Sequence, residues 1–233
     1  MPGLAGWHLP SDVRAPGHGR ASCVLRAPIA GPSHLPGGQG AWRDRGNDEH
    51  DRAATGQDLL MRYVELRRHT DNEGDRLTPQ GVADAEMIGR GGLHPPYAAF
   101  VSTGAARATQ MLEILRHAAG QDDTPITAAT GLRSSVEDRW RDAAKAAGKR
   151  ADLEDIRAID PDLVEHESWL LGSALRQVVA GLPEGGRALV AGHSPTNEAA
   201  VLGLAGLAVP PLGKGKGVLL VEDGGAYRVE PLH

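Results

Sequence analysis

Met61-Arg-Tyr-Val-Glu-Leu-Arg-Arg68, followed directly by His69, is the stretch of this chain that decides the fold. It has the pattern of a β-strand, and strand and helix patterns alternate from here to the C-terminus. This order predicts an α/β domain with a mainly parallel central sheet. His69 would then lie at the carboxyl edge of that sheet, where open α/β sheets bind their ligands.

The remaining elements follow from apolar periodicity and turn residues. Helices are predicted over residues 79–90, 104–119, 136–147, 165–179 and 196–204, and strands over 98–102, 126–128 and 187–191. The first helix begins at Thr78-Pro79, which supply an N-cap and a first helical residue. Two further strands, 217–222 and 226–230, flank an Asp-Gly-Gly turn and predict an antiparallel hairpin at the C-terminal edge of the sheet.

The first 57 residues differ from the rest of the chain. They are rich in Gly, Pro, Arg and Ser and have no sustained period of 2 or 3.6. We therefore expect a disordered N-terminal extension over residues 1–57 and a folded domain over residues 61–233. Met61 stands directly before the first strand, so the alternative is that translation starts near Met61 and that the upstream residues are not translated in the cell.

Composition excludes several classes of function. The net charge of -5 and the pI near 6.0 argue against a general basic surface, so neither nucleic acid nor a membrane is an expected partner. Cys23 is the only cysteine, which excludes an intramolecular disulfide and a cysteine-rich zinc site. No run approaches the roughly 20 apolar residues that span a bilayer. We expect a soluble, cytoplasmic protein.

Charged and imidazole side chains are predicted to meet at one edge of the sheet. His193 follows the strand 187–191 as His69 follows the first strand, and Arg107 lies on the first turn of a helix. Nearby helix N-termini add backbone N–H donors and a positive dipole end. With Arg68, these residues supply two guanidinium groups and two imidazoles, which together indicate a phosphate site.

Four ordered motifs carry a family resemblance that extends over nearly all of residues 61–233. Leu66-Arg-Arg-His-Thr70 resembles the Arg-His-Gly signature of the histidine phosphatase superfamily, which includes phosphoglycerate mutases and bacterial phosphohistidine phosphatases. The motifs Leu77-Thr-Pro-Gln-Gly81, Arg107-Ala-Thr-Gln110 and Val190-Ala-Gly-His-Ser194 are similar to further family segments and occur in the expected order.

The resemblance implies a three-layer α/β/α sandwich of the phosphoglycerate mutase type and a role for each motif residue. His69 would be the nucleophile that forms a phosphohistidine, while Arg68, Arg107 and His193 bind the phosphoryl oxygens. Glu137 is the best match to the family's acid, Asp138 is the second choice, and the absence of a dedicated acid is a third alternative. A neutral imidazole attacks without a metal at pH 7, so neither metal nor cofactor is expected.

Two positions depart from the family pattern. Thr70 replaces the usual glycine, and we expect it either to tighten the pocket or to donate its hydroxyl to phosphate. Gly104-Ala105 stands where the family often has proline, which suggests a looser loop.

The expected substrate is a small phosphorylated metabolite or a phosphohistidine protein; no oligomeric state is predicted. Phosphoglycerate mutase activity is the enzymatic alternative, and a non-catalytic phosphoryl-binding protein is the other. We rank the mutase lower because the acidic residues Asp71, Glu73 and Asp75 would repel a carboxylated substrate.

Overall fold

The computed structural model describes residues 60–232, which form a central sheet, a small separate hairpin and six α-helices. The strands are β1 (Arg62–Arg68), β2 (Asn72–Glu73), β3 (Arg76–Leu77), β4 (Ala99–Ser102), β5 (Ile126–Ala128), β6 (Arg187–Gly192), β7 (Gly217–Asp223) and β8 (Ala226–Leu232). The helices are α1 (Pro79–Gly91), α2 (Ala106–Ala118), α3 (Glu137–Ala147), α4 (Leu153–Ile159), α5 (Pro161–Ala180) and α6 (Thr196–Ala205). The extension predicted over residues 1–57 lies outside the described residues.

The central sheet has six strands in the order β5-β4-β6-β1-β7-β8. The first four are parallel to one another, whereas β7 pairs antiparallel with β1 and β8 antiparallel with β7. Arg68 lies opposite Gly192 at the ends of β1 and β6. The predicted mainly parallel sheet with a C-terminal edge hairpin is confirmed.

Helices cover both faces of the sheet, because neighbouring residues on each strand point to opposite sides. On β6, Leu189 packs with the apolar side chains of α1 and α2, while Val190 packs with those of α3, α4, α5 and α6. Each face is therefore sealed by its own hydrophobic core, and the molecule has the three layers that were predicted. None of the described helices is long and apolar enough to cross a membrane.

The sheet brings three strand ends to one edge. The strands β1, β6 and β4 end at Arg68, Gly192 and Ser102, respectively. The helices α2 and α6 begin just beyond β4 and β6, so their N-termini face the same edge. This geometry places the residues that follow these strands close together.

Three local features differ from the predicted elements. Helix α4 was not predicted, although Asp152 and Asp155 form a capping box at its start. Helix α5 begins at Pro161, four residues before the predicted start, because the Asp160 side chain accepts the Leu163 N–H and caps it. Helix α2 begins at Ala106 because Gly104 has a φ of +85°, a left-handed conformation outside the helix.

Candidate active site

His69 lies directly after β1 and is almost completely buried. Its backbone N–H donates to the Gly192 carbonyl at 3.0 Å, and its Nδ1 is 2.7 Å from the Thr70 carbonyl oxygen. A carbonyl only accepts, so Nδ1 carries the proton and Nε2 keeps a lone pair. Burial lowers the pKa of His69 to about 4, with a smaller contribution from the positive charge of Arg107. The ring is thus neutral at pH 7.

His193 follows β6 in the same way. Its Nε2 lies 2.9 Å from the Thr103 hydroxyl, and its Nδ1 lies 3.2 Å from Nη2 of Arg107. Because a guanidinium only donates, Nδ1 is the acceptor and Nε2–H donates to Thr103. Burial, followed by the charge of Arg107, lowers the pKa of His193 to about 3. The two imidazole centroids are 5.2 Å apart.

Arg107 connects the two imidazoles. Its Nε–H donates to Nε2 of His69 at 3.2 Å, and its Nη2–H donates to Nδ1 of His193 at 3.2 Å. Its remaining nitrogen, Nη1, donates to Asp75 at 2.8 Å. The Arg107 guanidinium is therefore within hydrogen-bonding distance of both imidazoles and brings three of the predicted site residues together.

Arg68 directly precedes His69, and its side chain donates no hydrogen bond to His69, His193 or Asp75. Its Nη1 donates to the Leu212 carbonyl at 2.7 Å, and its Nη2 donates to no other described residue. The charge of Arg68 contributes to the lowered pKa of His69. Burial also lowers the pKa of Arg68 itself, against the opposing charge of Glu198. Its predicted role as a phosphoryl ligand stays a prediction.

A cavity of about 300 Å³ opens next to the His193 imidazole and the Arg107 guanidinium. Its walls include Arg107, His193 and Glu137, together with Trp140 and Arg141. Glu137 accepts a hydrogen bond from Nε of Arg133 at 2.6 Å. Of the two predicted acids, Glu137 therefore reaches the cavity.

Asp138 is the other predicted acid, and its side chain points to solvent. It is 86% exposed and pairs with Arg141 at 2.7 Å. It is not among the residues that line the cavity. The position of the two carboxyl groups thus favours Glu137 over Asp138 as a group that can approach a ligand.

Comparison with known proteins identifies the fold. No protein-family model matches the chain, and no curated protein matches it in sequence. The crystal structure of phosphoglycerate mutase from Bacillus anthracis str. Sterne superposes with a TM-score of 0.59 at 19% identity, over 76% of this chain and 95% of that one. Phosphoserine phosphatase from Entamoeba histolytica in complex with 3-phosphoglyceric acid superposes with a TM-score of 0.51 at 14% identity, over 74% and 97%.

The chain has the phosphoglycerate mutase fold. The predicted resemblance to the histidine phosphatase superfamily is thereby confirmed at the level of the fold. A mutant of the Entamoeba enzyme bound to phosphoserine gives the same result, with a TM-score of 0.51 at 13% identity over 73% of this chain and 96% of that one.

The hydroxyl of Thr70 does not make one of the two contacts that the sequence suggested for it. Its hydroxyl donates to the Gly81 carbonyl at 2.7 Å, and the residue is buried. The expectation that this hydroxyl donates to phosphate is therefore wrong, because its single proton already binds the first turn of α1. Thr70, which directly follows His69, is thus anchored to the first turn of α1.

The acidic loop after His69 is a tight hairpin, and two of its carboxylates are paired. Asp71 binds Lys214 and the Thr78 hydroxyl, and Asp75 binds Arg107. These cations offset the negative charge that was expected to repel a carboxylated substrate. That argument against a mutase is weaker than the sequence indicated.

Glu198 is a buried group that sequence reasoning missed. One oxygen accepts the Ser194 hydroxyl at 2.6 Å and the Leu212 N–H at 2.7 Å, and the other accepts no hydrogen bond from a described residue. Burial raises the pKa of Glu198. Leu212 also accepts from Arg68, so Glu198 and Arg68 are held by the same residue. Its position in the sequence could have revealed it, because Glu198 lies on the first turn of α6, shortly after His193.

Proposed function

We propose that this protein is a phosphatase that hydrolyses a phosphomonoester or a phosphohistidine through a covalent phosphohistidine on His69, without a metal. One observation carries the proposal. The unprotonated Nε2 of His69 and Nδ1 of His193 both face one edge of the Arg107 guanidinium, next to a cavity. A phosphoryl group that enters here takes over the two N–H donors that Arg107 gives to the imidazoles, and this frees the lone pair of His69 to face phosphorus.

In the first step, Nε2 of His69 attacks phosphorus in line with the leaving group. A P–N bond forms and the P–O or P–N bond to the leaving group breaks, while Arg107 stabilises the charge on the phosphoryl oxygens. Attack requires a neutral imidazole, and burial supplies one. An alkoxide leaving group takes a proton from Glu137, which is the carboxyl group on the cavity wall.

In the second step, water attacks the phosphohistidine. Its proton returns to Glu137, the P–N bond breaks, and the electron pair goes back to Nε2 of His69. Inorganic phosphate leaves and the starting state is restored. The Nδ1–H bond to the Thr70 carbonyl keeps the proton on the far side of the ring in both steps, so that Nε2 stays the reactive atom.

The cavity supports a small phosphomonoester as substrate, because about 300 Å³ accommodates a small organic group next to the phosphoryl site. A phosphohistidine side chain on a protein partner is the other substrate class, since an imidazole leaves without a dedicated acid. A cytoplasmic setting belongs to the same proposal and rests on the single cysteine.

A phosphoglycerate mutase is the second candidate, and it is favoured by the ion pairs that offset Asp71 and Asp75. It differs from the phosphatase in the fate of the phosphohistidine, which passes to an acceptor hydroxyl rather than to water. With 3-phosphoglycerate as substrate, release of inorganic phosphate supports the phosphatase. Formation of an isomeric phosphoglycerate without phosphate release supports the mutase.

The turnover of p-nitrophenyl phosphate in the presence of a metal chelator tests the proposal. We expect wild type to hydrolyse it and His69→Ala to lose activity by at least about a thousandfold. His117→Ala is the matched control, because His117 lies on α2 with a side chain that is 81% exposed. Equal activity of wild type and His69→Ala would contradict the mechanism. A panel with phosphoserine, 3-phosphoglycerate and a phosphohistidine peptide then identifies the substrate class.

A further inference from the structure

Asp75 is held against the site by the small hairpin of β2 and β3. Its Oδ1 accepts from Nη1 of Arg107 at 2.8 Å, and its Oδ2 accepts the Ala106 N–H at 3.1 Å, at the first residue of α2. The hairpin is itself anchored, because the Leu77 N–H donates to Gln110 on α2 at 3.0 Å and Leu77 is buried. Both carboxylate oxygens therefore contact the same short segment that carries Arg107.

The three nitrogens of Arg107 have different partners. In a planar guanidinium, Nε–H and one terminal NH₂ form a parallel pair of donors that matches two oxygens of a phosphoryl group. Here that edge, Nε with Nη2, faces His69 and His193. Asp75 takes only the outer nitrogen, Nη1. Asp75 thus leaves the Nε–Nη2 edge to the two imidazole acceptors, which a phosphoryl group can replace without displacing Asp75.

We propose that Asp75 is a positioning residue that holds Arg107 with its Nε–Nη2 edge toward the two imidazoles. This inference rests on the proposed function, because it assigns Arg107 to the phosphoryl group. Without Asp75, only the hydrogen bonds to the two imidazoles hold Arg107, and a ligand replaces those bonds, so the ligand itself has to order the side chain on binding. Asp75 provides that order in advance through two hydrogen bonds from α2.

The negative charge of Asp75 opposes this positioning effect. A carboxylate near an anion site also repels the anion, so Asp75 acts against phosphate binding through its charge. That repulsion is reduced by solvent, since the Asp75 side chain is 51% exposed, and by the paired charge of Arg107. Because Asp75 and a phosphoryl group use different nitrogens of Arg107, the ligand does not have to displace it. Positioning is therefore the larger effect.

Binding of inorganic phosphate to the full chain, measured by calorimetry, tests the inference without turnover. We expect Asp75→Ala to raise the Kd of phosphate roughly three- to tenfold, as loss of an ordered, charge-assisted contact implies. Asp75→Asn retains an oxygen acceptor for Nη1 without the charge, so its Kd should stay within about twofold of wild type or fall below it. Glu73→Gln is the control, with the same charge change on the same hairpin at an exposed side chain.

Steady-state kinetics give a second readout. The KM for p-nitrophenyl phosphate should rise in Asp75→Ala in parallel with the Kd of phosphate, and Asp75→Asn should restore it. Tighter phosphate binding by Asp75→Ala would show a competing anion and overturn the inference, as would a Kd equal to that of wild type. The proposed function has a separate test. It is wrong if the His69→Ala protein hydrolyses p-nitrophenyl phosphate as fast as wild type, whichever Asp75 variant binds phosphate more tightly.

Discussion

At the scale of single residues, the site depends on two imidazoles that are neutral at pH 7. Burial is the main cause for both, and Arg107 adds a positive charge within hydrogen-bonding distance of each ring. A charged ring in either position would repel the guanidinium. The same neutrality leaves His69 a lone pair at Nε2, so the proposed nucleophile and the proposed phosphate ligand Arg107 depend on one arrangement.

The protonation of the two rings is measurable by NMR titration of the histidine ring protons. We expect two histidine signals with midpoints near pH 4 and pH 3, well below the ordinary value of about 6.5. His69→Ala should remove one of them, and His193→Ala the other. Midpoints between pH 6 and 7 for both residues would show that the rings are not desolvated as described.

Single-residue roles were predicted unevenly from the sequence. His69, Arg107 and His193 were found because each follows a strand or opens a helix, and position along an α/β unit determines the edge that a residue reaches. The partnership of Asp75 with Arg107 was not predicted. It joins residues 32 positions apart and depends on the hairpin geometry, which has no periodic signal.

At the scale of elements, helix α5 crosses closely over helix α6, the helix that follows His193 in the chain. Gly203 on α6 lies against the backbone of Ser168 on α5, and Gly172 on α5 lies against the backbone of Gly203. A methyl group at either position would overlap backbone atoms that cannot move aside. The Asn197 N–H on the first turn of α6 donates to the His193 carbonyl at 2.7 Å, so α6 links this crossing to the site.

Substitution at this crossing tests its contribution to stability. We expect Gly203→Ala to lower the free energy of unfolding in urea by about 2 kcal/mol or more, because the overlap forces the helices apart. Gly91→Ala is the matched control, since a Cβ at Gly91 meets no atom within 4 Å and alanine favours a helix. A Gly203→Ala protein as stable as Gly91→Ala would contradict the close crossing.

Elements with strong local signals were predicted well, and short capped ones were not. The apolar residues of α2 and the strand pattern of β6 are long enough to be periodic. Helix α4 has seven residues, fewer than two helical turns, so its periodicity is weak. Its capping box was visible in the sequence, and so was Asp160-Pro161 at the start of α5.

At the scale of the whole molecule, folding is linked to protons through the two buried histidines. Their pKa values of about 4 and 3 lie below the ordinary value of about 6.5. Between these limits the unfolded chain binds more protons than the folded one at these positions, so the free energy of unfolding rises with pH. This contribution is complete above about pH 6.5 and declines as the pH falls toward about 4 for His69 and about 3 for His193.

Urea unfolding at pH 5 and pH 7 tests this linkage. Wild type should lose stability at pH 5, and His69→Ala should lose less because one of the two groups is absent. If His69→Ala and wild type lose the same free energy between the two pH values, His69 does not carry a depressed pKa.

The arrangement of the sheet explains why four separated motifs converge. Parallel strands β1, β4 and β6 end at one edge, and the placement of His69 and His193 directly after their strands was enough to predict that they meet there. The sequence held less information on the depth of the cavity and on Glu198, because both depend on how loops far apart in the chain pack together.

The central claim, a phosphoryl group carried by His69, is tested most directly by locating phosphate in enzyme that is quenched with alkali during turnover of p-nitrophenyl phosphate. Peptide mapping by mass spectrometry should find the phosphate on His69, and His69→Ala should trap none. Phosphate on another residue of wild type, or turnover with no phosphate on His69, would contradict the account.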